Sequence, residues 1–106
     1  MPKYLLRVSY TAEGTKGLMK DGGTKREAAA RRLVESLGGK LEAFYFAFGE
    51  TDVFAIADMP DHASMAAAAL TIGGTGAVTG NTTVLLTAGD LDQAAKKSAN
   101  YTPPGQ

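Results

Sequence analysis

The chain has no cysteine, which removes disulfides, thiolate zinc sites, iron–sulfur clusters and thiol nucleophiles at one step and makes a reducing cytoplasm the expected location. It has no net charge either, with eleven Lys plus Arg against eleven Asp plus Glu. Nucleic-acid and anionic-membrane binding need a basic excess, so neither partner is expected. Histidine occurs once, at His62. One imidazole with scattered aspartates is a thin ligand set, so no metal is expected. Haem is not expected either, because a helix start beside Asp58 and Asp61 is a poor wall for an apolar macrocycle. Long apolar runs are also missing. The most apolar helical stretch, Met65–Leu70, is far too short to cross a bilayer, and Met1-Pro2-Lys3 leads straight into strand-like sequence without the apolar core of a leader peptide.

What is present reads as one domain over 1–106, with a Pro-rich tail at 99–106. A chain of this size buries roughly two-thirds of its unfolded surface. Lys3 to Tyr10 alternates, Tyr4, Leu6, Val8 and Tyr10 on one face and Lys3, Leu5, Arg7 and Ser9 on the other, which predicts a first strand. Thr11 to Gly23 carries four glycines among polar residues and reads as a mobile loop with at most one helical turn. Thr24 and Glu27 have capping-box spacing, and Ala30, Leu33, Val34 and Leu37 follow at i, i+3, i+4 and i+7. A first helix is therefore expected from Thr24 to Gly38, with Arg31 and Arg32 on its solvated side.

Leu41 to Phe48 loses polar alternation after Glu42, so both faces of that second strand want cover. Gly49 to Asp52 supplies turn chemistry, Gly49 permitting φ > 0 and Asp52 capping backbone amides. Val53 to Ala57 then forms a third strand, in a hairpin whose register the sequence leaves open. Asp61 is placed to cap a second helix over Ala63 to Ile72. A fourth strand is expected over Thr82 to Thr87 and a short terminal helix over Asp90 to Ser98.

The order β-α-β-β-α-β predicts an α+β, ferredoxin-like fold: a four-stranded antiparallel sheet with both main helices on one face. The other face is bare, and its edge strands, Ala43 to Phe48 and Val84 to Leu86, are among the most apolar segments. Such a surface needs cover, and a second copy of the chain is the simplest cover.

The stretch from Phe44 through Gly49-Glu50-Thr51-Asp52-Val53, followed by Met59-Pro60-Asp61, resembles the signature of the GYD-domain family, named for a Gly-x-Tyr-Asp-like turn. Tyr10 to Gly14, Gly22 to Arg26 and Thr82 to Thr87 extend the resemblance over nearly the whole chain. Thr51 departs from it, standing where the eponymous tyrosine would be. The resemblance implies pairing as a dimeric α+β barrel, two sheets packed face to face; fold analogy of this kind carries little about activity.

No motif names a reaction. Gly73-Gly74-Thr75-Gly76 lies between a helix and a strand, the reverse of a phosphate-binding loop's context. The expectation is a homo-oligomeric module that binds a small organic molecule on the sheet face, in a pocket lined by Tyr10, Phe44, Tyr45, Phe46 and Phe54 and anchored by Arg7. An enzyme version would be cofactor-free oxygenation or isomerisation with Tyr45 or His62 as proton carrier. A pocketless assembly module is the further alternative. The bland reading makes His62 an exposed first-turn residue and Arg7 a rim cation reaching solvent.

Overall fold

The protein is described by a computed structural model covering residues 1–106. Along the chain come β1 (Lys3–Tyr10), α1 (Ala12–Asp21), α2 (Gly23–Ser36), β2 (Lys40–Phe46), β3 (Val53–Asp58), α3 (His62–Gly73), β4 (Val78–Leu85) and α4 (Ala88–Ala95). The four strands form one antiparallel sheet in the order β2-β3-β1-β4. This is an α+β fold compatible with the ferredoxin-like class, but the first crossover holds two helices and a fourth follows the last strand.

The segment expected to be a loop is α1. Its helix is specified at the start by Thr11, whose Oγ1 accepts from the Gly14 amide at 3.1 Å, with Glu13 favourably placed at the positive end of the dipole. Tertiary contact then outweighs the poor helix propensity of its glycines. A Cβ on Gly14 would lie 2.0 Å from the Ala77 carbonyl oxygen, so only glycine lets this helix sit against the start of β4. The Thr11 amide seals the contact, donating to Ala77 O at 2.9 Å.

The Thr24–Glu27 capping box does not form. The chain turns at Gly22, φ 82°, and α2 begins at Gly23 without a side-chain cap, which places Thr24 inside the first turn. Glu27 instead accepts from Arg31 Nη2 at 3.1 Å. The inward stripe holds: Val34 is buried, and Ala30, Leu33 and Leu37 pack on the core.

Register assigns the faces. Tyr4, Leu6 and Val8 lie opposite Ala57, Ala55 and Val53 of β3, and this face carries the helices. A bulge between Leu41 and Ala43 turns both Leu41 and Phe44 to that side, opposite Ala57 and Ala55. The displaced Glu42 receives Lys3 Nζ at 3.0 Å, and Asp58 receives the same ammonium at 2.8 Å. The buried core is Tyr4, Val34, Leu41, Val53, Ala55, Ala57, Met59, Met65 and Ala68.

The opposite face carries no helix. Leu5 is paired with Ile56 and Arg7 with Phe54, Tyr45 flanks Phe54, and Leu85 flanks Lys3. Beyond Leu85, every residue from Leu86 to Gln106 is exposed. The terminal helix spans Ala88–Ala95, two residues earlier than expected, because Thr87 and not a later residue caps it. β4 likewise starts at Val78, where its first residue pairs with Tyr10.

Candidate functional site

A cavity lies between the helices and the helix-covered face of the sheet. It measures about 540 Å3. Five residues of α1 line it, Glu13 and, at i, i+3, i+4 and i+7, Gly14, Gly17, Leu18 and Asp21. That spacing in the sequence was the available signal for a helix with one face turned inward, and the density of glycine obscured it. From α2 come Arg26, Ala29, Ala30 and Leu33, and from the sheet Val8, Tyr10, Phe44 and Val53. Thr71 and Ile72 at the end of α3, Thr75 just beyond it, and Ala77 and Val78 where β4 begins complete the wall.

The charges on this wall are Glu13, Asp21 and Arg26. Arg26 Nη1 is 3.4 Å from Asp21 Oδ2, and Lys25 Nζ is 3.8 Å from Asp21 Oδ1. The one cation of the wall thus already has a carboxylate, whereas Glu13 has no ionic partner. Such a wall suits an apolar body with a hydrogen-bond donor better than an anion.

The residues expected to share one pocket are divided between the two faces. Tyr10 and Phe44 line the helix-side cavity. Phe46 is on the same side, its ring at an edge-on 83° to Phe44 with centroids 5.3 Å apart, and it packs on Gly23 at the start of α2. Arg7, Tyr45 and Phe54 are on the bare face, and neither this cavity nor a smaller one of about 130 Å3 beside β4 is lined by any of them. The division follows from strand alternation: Tyr45 sits between Phe44 and Phe46 and must point the other way. Arg7 is exposed and donates from Nη2 to Thr83 Oγ1 at 3.2 Å, with no carboxylate partner.

His62 lies at the first position of α3, exposed, with its Nδ1 hydrogen-bonded to the hydroxyl of Tyr4. It is outside the cavity. Asp61 caps the same helix, accepting from the Ser64 amide at 2.8 Å, and this bond holds its carboxyl below the ordinary value. Asp52 accepts a backbone amide, though not within its own turn: its Oδ2 takes the Tyr10 amide at 2.8 Å and ties the β2–β3 turn to the end of β1. Gly49 has φ 100° in that turn, a conformation that favours glycine. No group of three or more His, Asp or Glu side chains is arranged to hold a metal ion. No helix is long and apolar enough to cross a membrane.

A family model described as the GYD domain matches residues 4–95, from β1 through the end of α4. The chain belongs to the GYD-domain family. No curated protein and no solved structure matches it.

Proposed function

We propose that this GYD-domain protein is a cytoplasmic homo-oligomeric module that holds a small organic molecule between α1, α2, α3 and the sheet, while a second copy covers its bare sheet face. The cavity carries the binding reading. At about 540 Å3 it falls within the roughly 300–1,000 Å3 of small-molecule sites. Its apolar lining, which includes Val8, Leu33, Phe44, Val53 and Ile72, favours an apolar body. Glu13 and the phenol of Tyr10 favour one polar group, and the Arg26–Asp21 pair disfavours an anion. The ligand class is a neutral, mainly apolar molecule bearing a hydrogen-bond donor.

The second copy is supported by Leu5, Ile56, Phe54 and Tyr45 on a face without helices. Burying each such side chain contributes about 1.5–3 kcal/mol before association costs. The balanced charge of the chain supports partners other than nucleic acid or an anionic membrane. Tyr45 and His62 both lie outside the cavity, which favours binding over turnover by either group.

Titration with the neutral, environment-sensitive dye Nile red, which carries no hydrogen-bond donor, tests the apolar part of the site. Saturable binding at one dye per chain is expected, abolished by Ala30→Trp, which fills the cavity, and retained by Tyr45→Ala on the other face. Absence of saturable binding, or binding indifferent to Ala30→Trp, would favour a pocketless assembly module.

A further inference from the structure

The C-terminal arm is an apolar surface with nothing to rest on. Every residue from Leu86 to Gln106 is exposed, and Leu86, Leu91 and Tyr101 keep 66%, 52% and 73% of their surface in water. Ala88, Leu91, Ala94 and Ala95 fall on one side of α4, bordered by Asp92, with Asp90 and Gln93 opposite, the pattern of a helix that packs on something. Yet α4 has only eight residues, and isolated helices shorter than about 12–15 residues are marginal in water. Its start is well specified, with Asp90 N on Thr87 Oγ1 at 3.1 Å and Thr87 N on Asp90 Oδ2 at 2.9 Å. A cap determines where a helix begins; it does not supply a surface to bury the helix against.

The overall dimensions give the same indication. The radius of gyration is 17.1 Å with a longest extent of 58 Å, whereas a compact domain of 100 residues has about 13 Å. The accessible surface is 7429 Å2 for 11.0 kDa, against about 5,600 Å2 for a compact monomer of that mass. The excess, about 1,800 Å2 per chain, is in the range that obligate homodimers bury per partner, on the order of 1,000–2,500 Å2.

We propose that Leu86 to Ala95 packs on a second copy of this chain, reciprocally, so that each copy clasps the other with its arm. Three observations select a second copy as the occupant. The arm leaves the body at Leu85, whose register partner is Lys3 on the bare face, so the two uncovered apolar surfaces adjoin and one event covers both. The excess area matches a homodimer. Asp90 and Asp92 of the packing segment are followed directly by Lys96 and Lys97, and the bare face carries Lys3, Arg7 and Asp58, so both surfaces hold both signs of charge and like copies do not repel. The arrangement is isologous and therefore closed, which limits it to a dimer. The proposal rests on the homo-oligomeric part of the function proposed above and adds which segment secures it.

The test is sedimentation of the full chain and of the Leu86→Asp/Leu91→Asp double variant, combined with hydrogen exchange of the α4 amides at high and low protein concentration. Both leucines are exposed in the single chain, so the variant keeps its body intact, as far-UV circular dichroism and α2 amide protection will verify. The expected results are a dimeric full chain whose α4 amides are protected and lose protection on dilution, and a variant whose dimer dissociation constant is raised at least about a hundredfold. Equal dissociation constants for the two proteins, or α4 amides exchanging at unfolded-chain rates within a demonstrated dimer, would overturn the arm proposal and leave the oligomer standing. α4 protection independent of concentration would overturn it too, by showing docking within one chain. A full chain that is monomeric at all concentrations would overturn both.

Discussion

The hydroxyl of Tyr4, a residue only 2% exposed, is hydrogen-bonded to Nδ1 of His62 on the rim of the same core. The two rings meet edge-on, centroids 5.8 Å apart at 81°. Tyr4 belongs to the first strand and His62 to the first turn of α3, so this bond joins the sheet to the start of an alanine-rich helix. With Nδ1 unprotonated the tyrosine donates and the imidazole accepts. The only histidine of the chain thereby acquires a structural role, which is to satisfy a buried phenol.

That role predicts an asymmetric pair of substitutions. Tyr4→Phe removes both the hydroxyl and the need to satisfy it, with a cost of about 0.5–1.5 kcal/mol. His62→Ala leaves the hydroxyl in the core without its partner and costs about 1–3 kcal/mol. The double variant will be less destabilised than the sum of the two, since the second change removes a bond already lost. Urea unfolding of the four proteins checks the cycle. Additivity would contradict the pairing.

Asp52 predicts a loss at a distance. Its carboxylate holds the Tyr10 amide, and the Asp52 amide donates to Val8 O at 2.8 Å, so the β2–β3 turn is tied to the end of β1 beside the cavity. Asp52→Ala is expected to destabilise by about 1.5–3 kcal/mol, the range for hydrogen bonds to charged groups, and to weaken Nile red binding through Tyr10. Asp52→Asn, which keeps an acceptor, recovers most of both. Thermal unfolding and dye titration measure the two effects separately.

Two glycines of α1 predict opposite signs. Gly14→Ala forces a methyl into the Ala77 carbonyl; backbone cannot yield as a side chain does, and a loss of about 1–3 kcal/mol or more is expected, along with the α1 wall of the cavity. Gly17 has nothing within 4 Å of an added Cβ, so Gly17→Ala is expected to stabilise by about 0.5–1 kcal/mol. Thermal melts of the pair decide, and destabilisation by both would contradict the placement of α1.

The pH dependence of stability has two small, opposed limbs. The Ser64 amide holds the Asp61 carboxyl below its ordinary value of 3.8, so Asp61 adds stability above that value and loses it as pH falls through the folded pKa. Lys3 is raised above 10.5 by its hydrogen bonds, to Asp58 first and to Glu42 second; its contribution is complete below 10.5 and is lost as pH climbs through the folded pKa. Both groups reach solvent, so salt weakens both effects. Asp61→Asn, which retains a capping side chain, will match the parent protein at neutral pH and show a flatter acid limb. Parallel acid limbs would contradict the cap.

The sequence was most legible where a period repeats. Alternation along Lys3–Tyr10 separated the two faces correctly, placing Arg7 away from the helices, and the Ala30, Leu33, Val34 and Leu37 stripe marked α2. Asp61 was readable as a cap because a proline and an alanine run bracket it. The α1 helix was not readable by propensity, since its four-glycine surroundings favour a loop until Ala77 is brought against Gly14 from a distant part of the chain. The cavity was missed for the same reason: one of its walls is α1. Grouping the aromatics Phe44, Tyr45 and Phe46 into one pocket ignored the strand period that the neighbouring β1 illustrates. The bulge at Glu42 left no signal beyond one charge in an apolar run.

The most direct test of a ligand-holding homodimer is native mass spectrometry of the full chain purified from its own host. The expected result is the mass of two chains carrying a non-covalent small-molecule adduct, with loss of that adduct in the Ala30→Trp protein while the two-chain mass persists. A single-chain mass, or a two-chain species free of adduct that also fails to take up Nile red, would contradict it.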